Sequence, residues 1–172
     1  MKLHLILVAL ALQACSPPQN WRQVDFEGST LRAQLPCKPD RTVREVPLGG
    51  VPVGLSVAGC ESGDALLVIM TAALKPGSDA QAVLEGWRRA SLGHLQLANP
   101  EQRPWVRVGM LPLSAAVQVK GQAKNAQGQA IEAEAVWGAW LEAGHVRVVH
   151  AAIYAPRVDS ALAQTLFEGL QP

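Results

Sequence analysis

The sequence has few charged side chains and no run of like charge, which argues against partners that are bound through a charged patch. Lysine and arginine together number 15, aspartate and glutamate number 14, and charged residues make up only 17% of the chain. A protein that binds the phosphate backbone of a nucleic acid needs a concentrated basic surface. We therefore expect no nucleic-acid partner and no recruitment to anionic lipid by a polybasic segment.

The residue patterns of common catalytic and metal sites are also missing. His94, His145 and His150 have no metal-site spacing, and the last two are five residues apart in one predicted strand, so they point to opposite faces. Residues 54–58, Gly-Leu-Ser-Val-Ala, lack the final glycine of a nucleophile elbow, and Gly49-Gly50 is typical of a hairpin turn. We expect no enzyme activity, no catalytic residue, no metal and no cofactor.

The apolar run at the amino terminus is too short to span a bilayer. It covers residues 3–12, whereas a membrane-spanning helix needs about 20 residues. Lys2 precedes the run, and Leu12-Gln13-Ala14-Cys15 ends it. A positive start, a short apolar core and small residues before a cysteine resemble the signal peptide of a bacterial lipoprotein.

This resemblance implies a cellular location and a lipid anchor. Residues 1–14 would be the signal peptide, Cys15 would carry a thioether-linked lipid and palmitate-type acyl chains, and residues 15–20 would be the lipidated cysteine and a short tether. In lipoproteins of the common enteric type, a residue such as Ser16 after the cysteine favours the outer membrane. We expect a chain anchored in the bacterial envelope, in the outer membrane facing the periplasm. The alternatives are an ordinary secretory signal cut near Ala14, or a buried helix, which Pro17-Pro18 would end.

The other two cysteines predict a disulfide. With Cys15 assigned to the lipid, Cys37 and Cys60 remain, and an even pair in an exported chain is typical of a structural bridge. Closing a loop of this size contributes about 3 kcal/mol in the chain-entropy model. The alternative is two buried free thiols. No Cys-x-x-Cys pattern is present, so a bridge here would be structural and not redox-active.

Hydrophobic periodicity predicts several strands, a helix, more strands and a closing helix. Ser78 is the expected N-cap of the first helix and Gly93 its end, while the second helix should begin near Asp159. Residues 98–104, with Asn99-Pro100 and Arg103-Pro104, are expected to form a polar loop and a possible contact region. The strands expected before the first helix are residues 31–35, 41–46, 51–57 and 65–74.

Strict alternation between residues 115 and 154 predicts an antiparallel meander and its register. Only one pairing keeps apolar side chains opposite apolar ones, and it needs a loop at residues 125–129 and a turn at Ala143-Gly144. Glu132 and Glu134 are then expected on a solvated face. The predicted pairs are Lys120 with Glu134, Gln122 with Glu132, Leu141 with Val146, Ala139 with Val148, Trp137 with His150, and Trp140 with Arg147.

This order of elements predicts an α+β fold, an antiparallel β-sheet with two packed helices, over one domain at residues 21–172. The opening strand that ends in Leu35-Pro36-Cys37-Lys38-Pro39, the apolar strand before the first helix, the long late strands and the closing helix resemble small envelope proteins of the PsbP/Mog1-like fold. The resemblance implies an α-β-α sandwich. Members of that group bind other proteins or have no assigned activity, so it favours a non-enzymatic module.

A candidate interaction surface follows from the last hairpin. Trp140 shares a face with Glu142, His145 and Arg147, and a tryptophan beside an arginine is typical of contact sites and of cation–π pairs. Simple strand packing of Trp140 is the alternative. We expect a membrane-anchored module that binds an envelope protein or supports its assembly. The alternatives are a periplasmic carrier of a small ligand or lipid held between a helix and the sheet, an unrecognised hydrolase, and a purely structural lipoprotein.

Overall fold

The computed structural model describes residues 20–172, which form two helices, a seven-stranded antiparallel sheet and a two-stranded hairpin. The predicted signal peptide, the predicted lipidation site Cys15 and most of the predicted tether lie outside these residues. Within residues 20–172 no helix is long and apolar enough to cross a membrane. The elements are β1 (Arg22–Asp25), β2 (Arg32–Leu35), β3 (Asp40–Leu48), β4 (Val51–Ser62), β5 (Ala65–Ala73), α1 (Ala80–Leu95), β6 (Ala98–Pro104), β7 (Val117–Lys124), β8 (Ala130–Glu142), β9 (His145–Ala155) and α2 (Ser160–Glu168).

The sheet has the strand order β3-β4-β5-β9-β8-β7-β6, and β1 and β2 form the separate hairpin. The predicted register of the meander is confirmed at every pair, including Lys120 opposite Glu134 and Trp140 opposite Arg147. Ala143 and Gly144 both have positive φ in the β8–β9 turn. A tight two-residue turn with that backbone twist suits a hairpin and keeps the two strands in register.

Both faces of the central strands β8 and β9 are buried over most of their length, each under a different layer. Helix α1 covers one face and α2 covers the other together with the β1–β2 hairpin. The α2 layer overturns the prediction that Glu134 lies on a solvated face, because its side chain is only 8% exposed. The core on the α1 side includes Leu84, Trp137, Ala139 and Val148, and the core on the α2 side includes Trp140, Val149, Ile153, Leu166 and Phe167.

The helix ends follow capping chemistry, with one correction at each end of α1. Asp79, not Ser78, is the N-cap, since its side chain accepts a hydrogen bond from the Ala82 N–H at 3.1 Å. The helix continues past Gly93 and ends at Gln96, which adopts the left-handed conformation and satisfies the last carbonyls. The predicted start of α2 is confirmed, because Asp159 caps it.

Residues 98–104 form edge strand β6 instead of the predicted loop. They pair with β7, with an irregularity between Ala98 and Glu101, and every residue of β6 is exposed. Proline is tolerated here because one side of an edge strand needs no hydrogen-bond partner. Pro100 and Pro104 therefore do not prevent the strand from forming.

The predicted disulfide is confirmed between Cys37 and Cys60, which are 23 residues apart. Cys37 follows β2, and Cys60 lies in β4. The bridge therefore ties the β1–β2 hairpin to the main sheet. Asn20 lies at the same end of the molecule, where its N–H donates to the Pro36 carbonyl at 3.1 Å.

Candidate functional site

Two residues of the predicted interaction surface, Glu142 and Arg147, form internal contacts with residues 28–30, and we call this network the clasp. Glu142 accepts hydrogen bonds from the Ser29 hydroxyl at 3.3 Å, from the Thr30 hydroxyl at 2.5 Å and from the Thr30 N–H, and it forms an ion pair with Arg147. The Arg147 guanidinium also donates to the Gly28 carbonyl. These contacts join the β1–β2 turn to the end of the β8–β9 hairpin. Burial raises the pKa of Glu142, but the bonds from Thr30 and the contact with Arg147 outweigh it and lower the pKa to about 2.

The clasp changes the interpretation of the candidate residues. Trp140 is 1% exposed and belongs to the core, so the expectation that it lies on an accessible face is wrong. Its face carries the β1–β2 hairpin and α2, which exclude solvent. Arg147 is also buried, and its guanidinium contacts Glu142 and the Gly28 carbonyl; the part of the chain that is described shows no cation–π contact between it and Trp140. Of the four predicted residues, His145 alone is exposed.

A second cluster of polar and aromatic groups lies under α1. The His150 ring stacks on Trp137 with centroids 4.4 Å apart, and Trp87 contacts it edge-on at 5.5 Å. The His150 Nδ1 lies 3.1 Å from the Val136 carbonyl oxygen, the distance of a hydrogen bond. Burial lowers the pKa of His150 to about 4, so the ring is neutral at physiological pH. Because it is only 1% exposed, this histidine is a core group.

An open groove of about 830 Å³ lies on the α2 side of the sheet. Strands β6, β7 and β8 bring its polar residues together, because Glu101 pairs with Lys120, Lys120 pairs with Glu134, and Arg103 pairs with Gln118. Since side chains alternate along a strand, all five lie on one face. The groove is also lined by Gln102, Pro104, Trp105, Val106, Arg107, Ser160, Gln164, Phe167 and Glu168.

A hydrogen-bonded chain organises the floor of this groove. The Arg103 Nε donates to the Gln118 Oε1 at 2.9 Å, and the Gln118 Nε2 donates to the Glu134 Oε1. Gln118 and Glu134 are both buried, whereas Arg103 is exposed. The two bonds of Gln118 hold its amide in one orientation. The groove therefore presents a carboxylate that is positioned by neighbouring side chains before any ligand arrives.

The groove can bind a polar ligand through these side chains. In the described residues, no three His, Cys, Asp or Glu side chains are arranged to hold a metal ion. Sequence reasoning noted residues 98–104 as a contact region and placed Lys120 opposite Glu134, but it missed the groove. The missing step was that residues 98–104 pair with β7 and that α2 covers this part of the sheet.

Comparison with models of known protein families and with curated proteins finds no match for this chain.

Proposed function

We propose that this chain is a lipid-anchored, non-enzymatic binding module of the bacterial envelope, which holds a segment of another envelope protein in the groove between α2 and strands β6–β8. The preformed chain from Arg103 through Gln118 to Glu134 carries this proposal. The lipoprotein-like sequence around Cys15 supports an anchor in the outer membrane, facing the periplasm. The Cys37–Cys60 disulfide is in keeping with an oxidising compartment. The fold is proposed to be PsbP/Mog1-like, as its element order suggests.

The surroundings of the groove favour a protein segment as the occupant. One long side of the groove is formed by edge strand β6, which is exposed along its whole length. Val106, which is 47% exposed, lines the groove, and Val108, which is 97% exposed, follows it two residues later. Apolar side chains this exposed beside a polar groove suit the mixed surface of a protein partner better than a small enclosed molecule.

The anchor strengthens such an interaction without adding any contact. From Cys15 to Asn20 the chain can extend by at most about 18 Å. A lipid on Cys15 would therefore keep the domain at the membrane surface, where a membrane-bound partner is concentrated. Modest affinity in the groove is then sufficient for occupancy.

A small ligand is the second candidate for the same site. The groove volume of about 830 Å³ falls within the range of small-molecule pockets, roughly 300–1,000 Å³. Quenching of the fluorescence of Trp105, which lines the groove, by a metabolite or lipid fragment would favour this alternative.

Site-specific photo-cross-linking in living cells tests the proposal. A photoreactive amino acid replaces Val106 beside the groove, and the matched control carries it at Val43, which is 69% exposed on the opposite edge strand β3. We expect a discrete product with one envelope protein from position 106 that is missing from position 43 and is reduced in a Cys15→Ser form. Equal products at both positions, or none at position 106, would contradict binding in the groove.

A further inference from the structure

Glu134 differs from the other carboxylates of the groove in its burial. Glu101 and Glu168 are exposed, whereas Glu134 is 8% exposed at the floor. A carboxylate removed from water is costly unless positive charge or hydrogen-bond donors compensate it. A ligand that supplies positive charge or hydrogen-bond donors to Glu134 is therefore favoured at this site.

Protein groups within residues 20–172 compensate the charge of the Glu134 carboxylate only in part. The side chain of Glu134 accepts one side-chain hydrogen bond, from Gln118 to its Oε1, and no ion pair is formed with it. Lys120 is opposite in the register but is exposed and is not within ion-pair distance. The Oε2 atom of Glu134 has no hydrogen-bond donor within residues 20–172 and is not among the fully buried unpaired atoms there, so it faces the solvent of the groove.

The neighbouring side chains hold this acceptor in place. Because Arg103 donates to the Gln118 oxygen, the Gln118 amide group turns its N–H donors toward Glu134. Arg103 and Gln118 are thus positioning residues, and Glu134 is the group left to contact a ligand. A fixed acceptor loses little conformational freedom when a donor binds it.

We infer, on the basis of the proposed function, that the partner segment inserts a lysine or arginine side chain into the groove and that Glu134 binds its ammonium or guanidinium group. Charged donors form the strongest hydrogen bonds with a carboxylate. Three cations line the groove, of which Arg103 and Lys120 are exposed and Arg107 is half-buried. They repel such a group only weakly where water screens them, whereas Glu134 acts from a buried position. Charge selectivity at this site therefore resides in Glu134.

Short labelled peptides that differ only in a central lysine, arginine or norleucine test this preference. Fluorescence anisotropy with the full-length protein in detergent micelles measures their affinities. We expect the lysine and arginine peptides to bind about ten- to a hundredfold more tightly than the norleucine peptide, the usual effect of a hydrogen bond to a charged group. Glu134→Gln should abolish the preference. Glu45→Gln, which removes an exposed carboxylate of the opposite edge strand β3, should preserve it.

A second variant keeps the carboxylate. Gln118→Leu removes the positioning amide, so the preference for lysine should fall several-fold with Glu134 still present; this also tests the site if Glu134→Gln does not fold. Equal binding of the lysine and norleucine peptides, or no binding of any peptide, overturns the inference. The cross-link from position 106 is independent of this charge preference, so its presence or loss separately decides the proposed function.

Discussion

Acidification from about pH 7 to about pH 5 should destabilise the protein through His150. Its pKa is about 4 in the folded state, against about 6.5 for an unperturbed histidine in the unfolded chain. Between these two values the unfolded chain binds a proton that the folded protein does not. The free energy of unfolding therefore falls as the pH falls, by about 1.4 kcal/mol per pH unit within the window.

Integrated between about pH 7 and about pH 5, the loss is about 2 kcal/mol. Equilibrium unfolding in urea, at several pH values and with the disulfide intact, measures it. The folded-state pKa of Glu142 is also depressed, but its contribution is present above about pH 4.5 and is lost as the pH falls toward about 2. The two groups therefore act in different pH windows.

His150→Phe keeps an aromatic ring between Trp137 and Trp87 but cannot take up a proton. We expect this variant to be less stable at neutral pH, because the bond to the Val136 carbonyl is lost, and to show a nearly flat dependence between about pH 7 and about pH 5. His145→Gln, which changes an exposed histidine of the same strand, should retain the native slope. A native slope in His150→Phe, or a flat profile in the native protein, would refute the assignment.

Three further predictions concern stability and are measured by thermal or urea unfolding. Reduction of the Cys37–Cys60 disulfide should destabilise the protein by about 3 kcal/mol, and an unchanged melting temperature under reductant would show that the bridge contributes nothing. Glu142→Gln should cost about 2 kcal/mol at neutral pH, because the clasp loses a charged acceptor beside a buried arginine; a cost below about 0.5 kcal/mol would mean that the clasp is not stabilising. Gly138→Ala should cost about 1–3 kcal/mol by overpacking, since its new Cβ would lie 2.8 Å from the Trp105 ring, and full native stability would contradict this close packing.

Local sequence patterns were sufficient to predict those elements whose determining residues lie close together in the chain. The register of the meander follows from alternation, because a slip of one residue moves every side chain to the other face. Asp159 and the apolar stripe after it were enough to locate α2 and its buried side, which includes Leu162, Leu166 and Phe167. The Cys37–Cys60 bridge followed from the export signal and an even count of remaining cysteines.

Local patterns could not predict which segments pack over each face of the sheet. Alternation shows which residues share a face, but Trp140 and Arg147 are buried because a distant hairpin and α2 pack over them. The same layer encloses Glu134, which has the sequence context of an ordinary solvated strand. Burial of this kind depends on contacts between segments far apart in the chain, and no local window contains them.

The candidate site combines both kinds of information. The sequence by itself determined the pairing of Lys120 with Glu134, because the apolar side chains of the two strands allow only one register. Tertiary structure alone decided that residues 98–104 become a strand, since they do not alternate and are held by pairing with β7. It also decided that this strand and α2 enclose a groove, because the groove exists only where four separate elements meet.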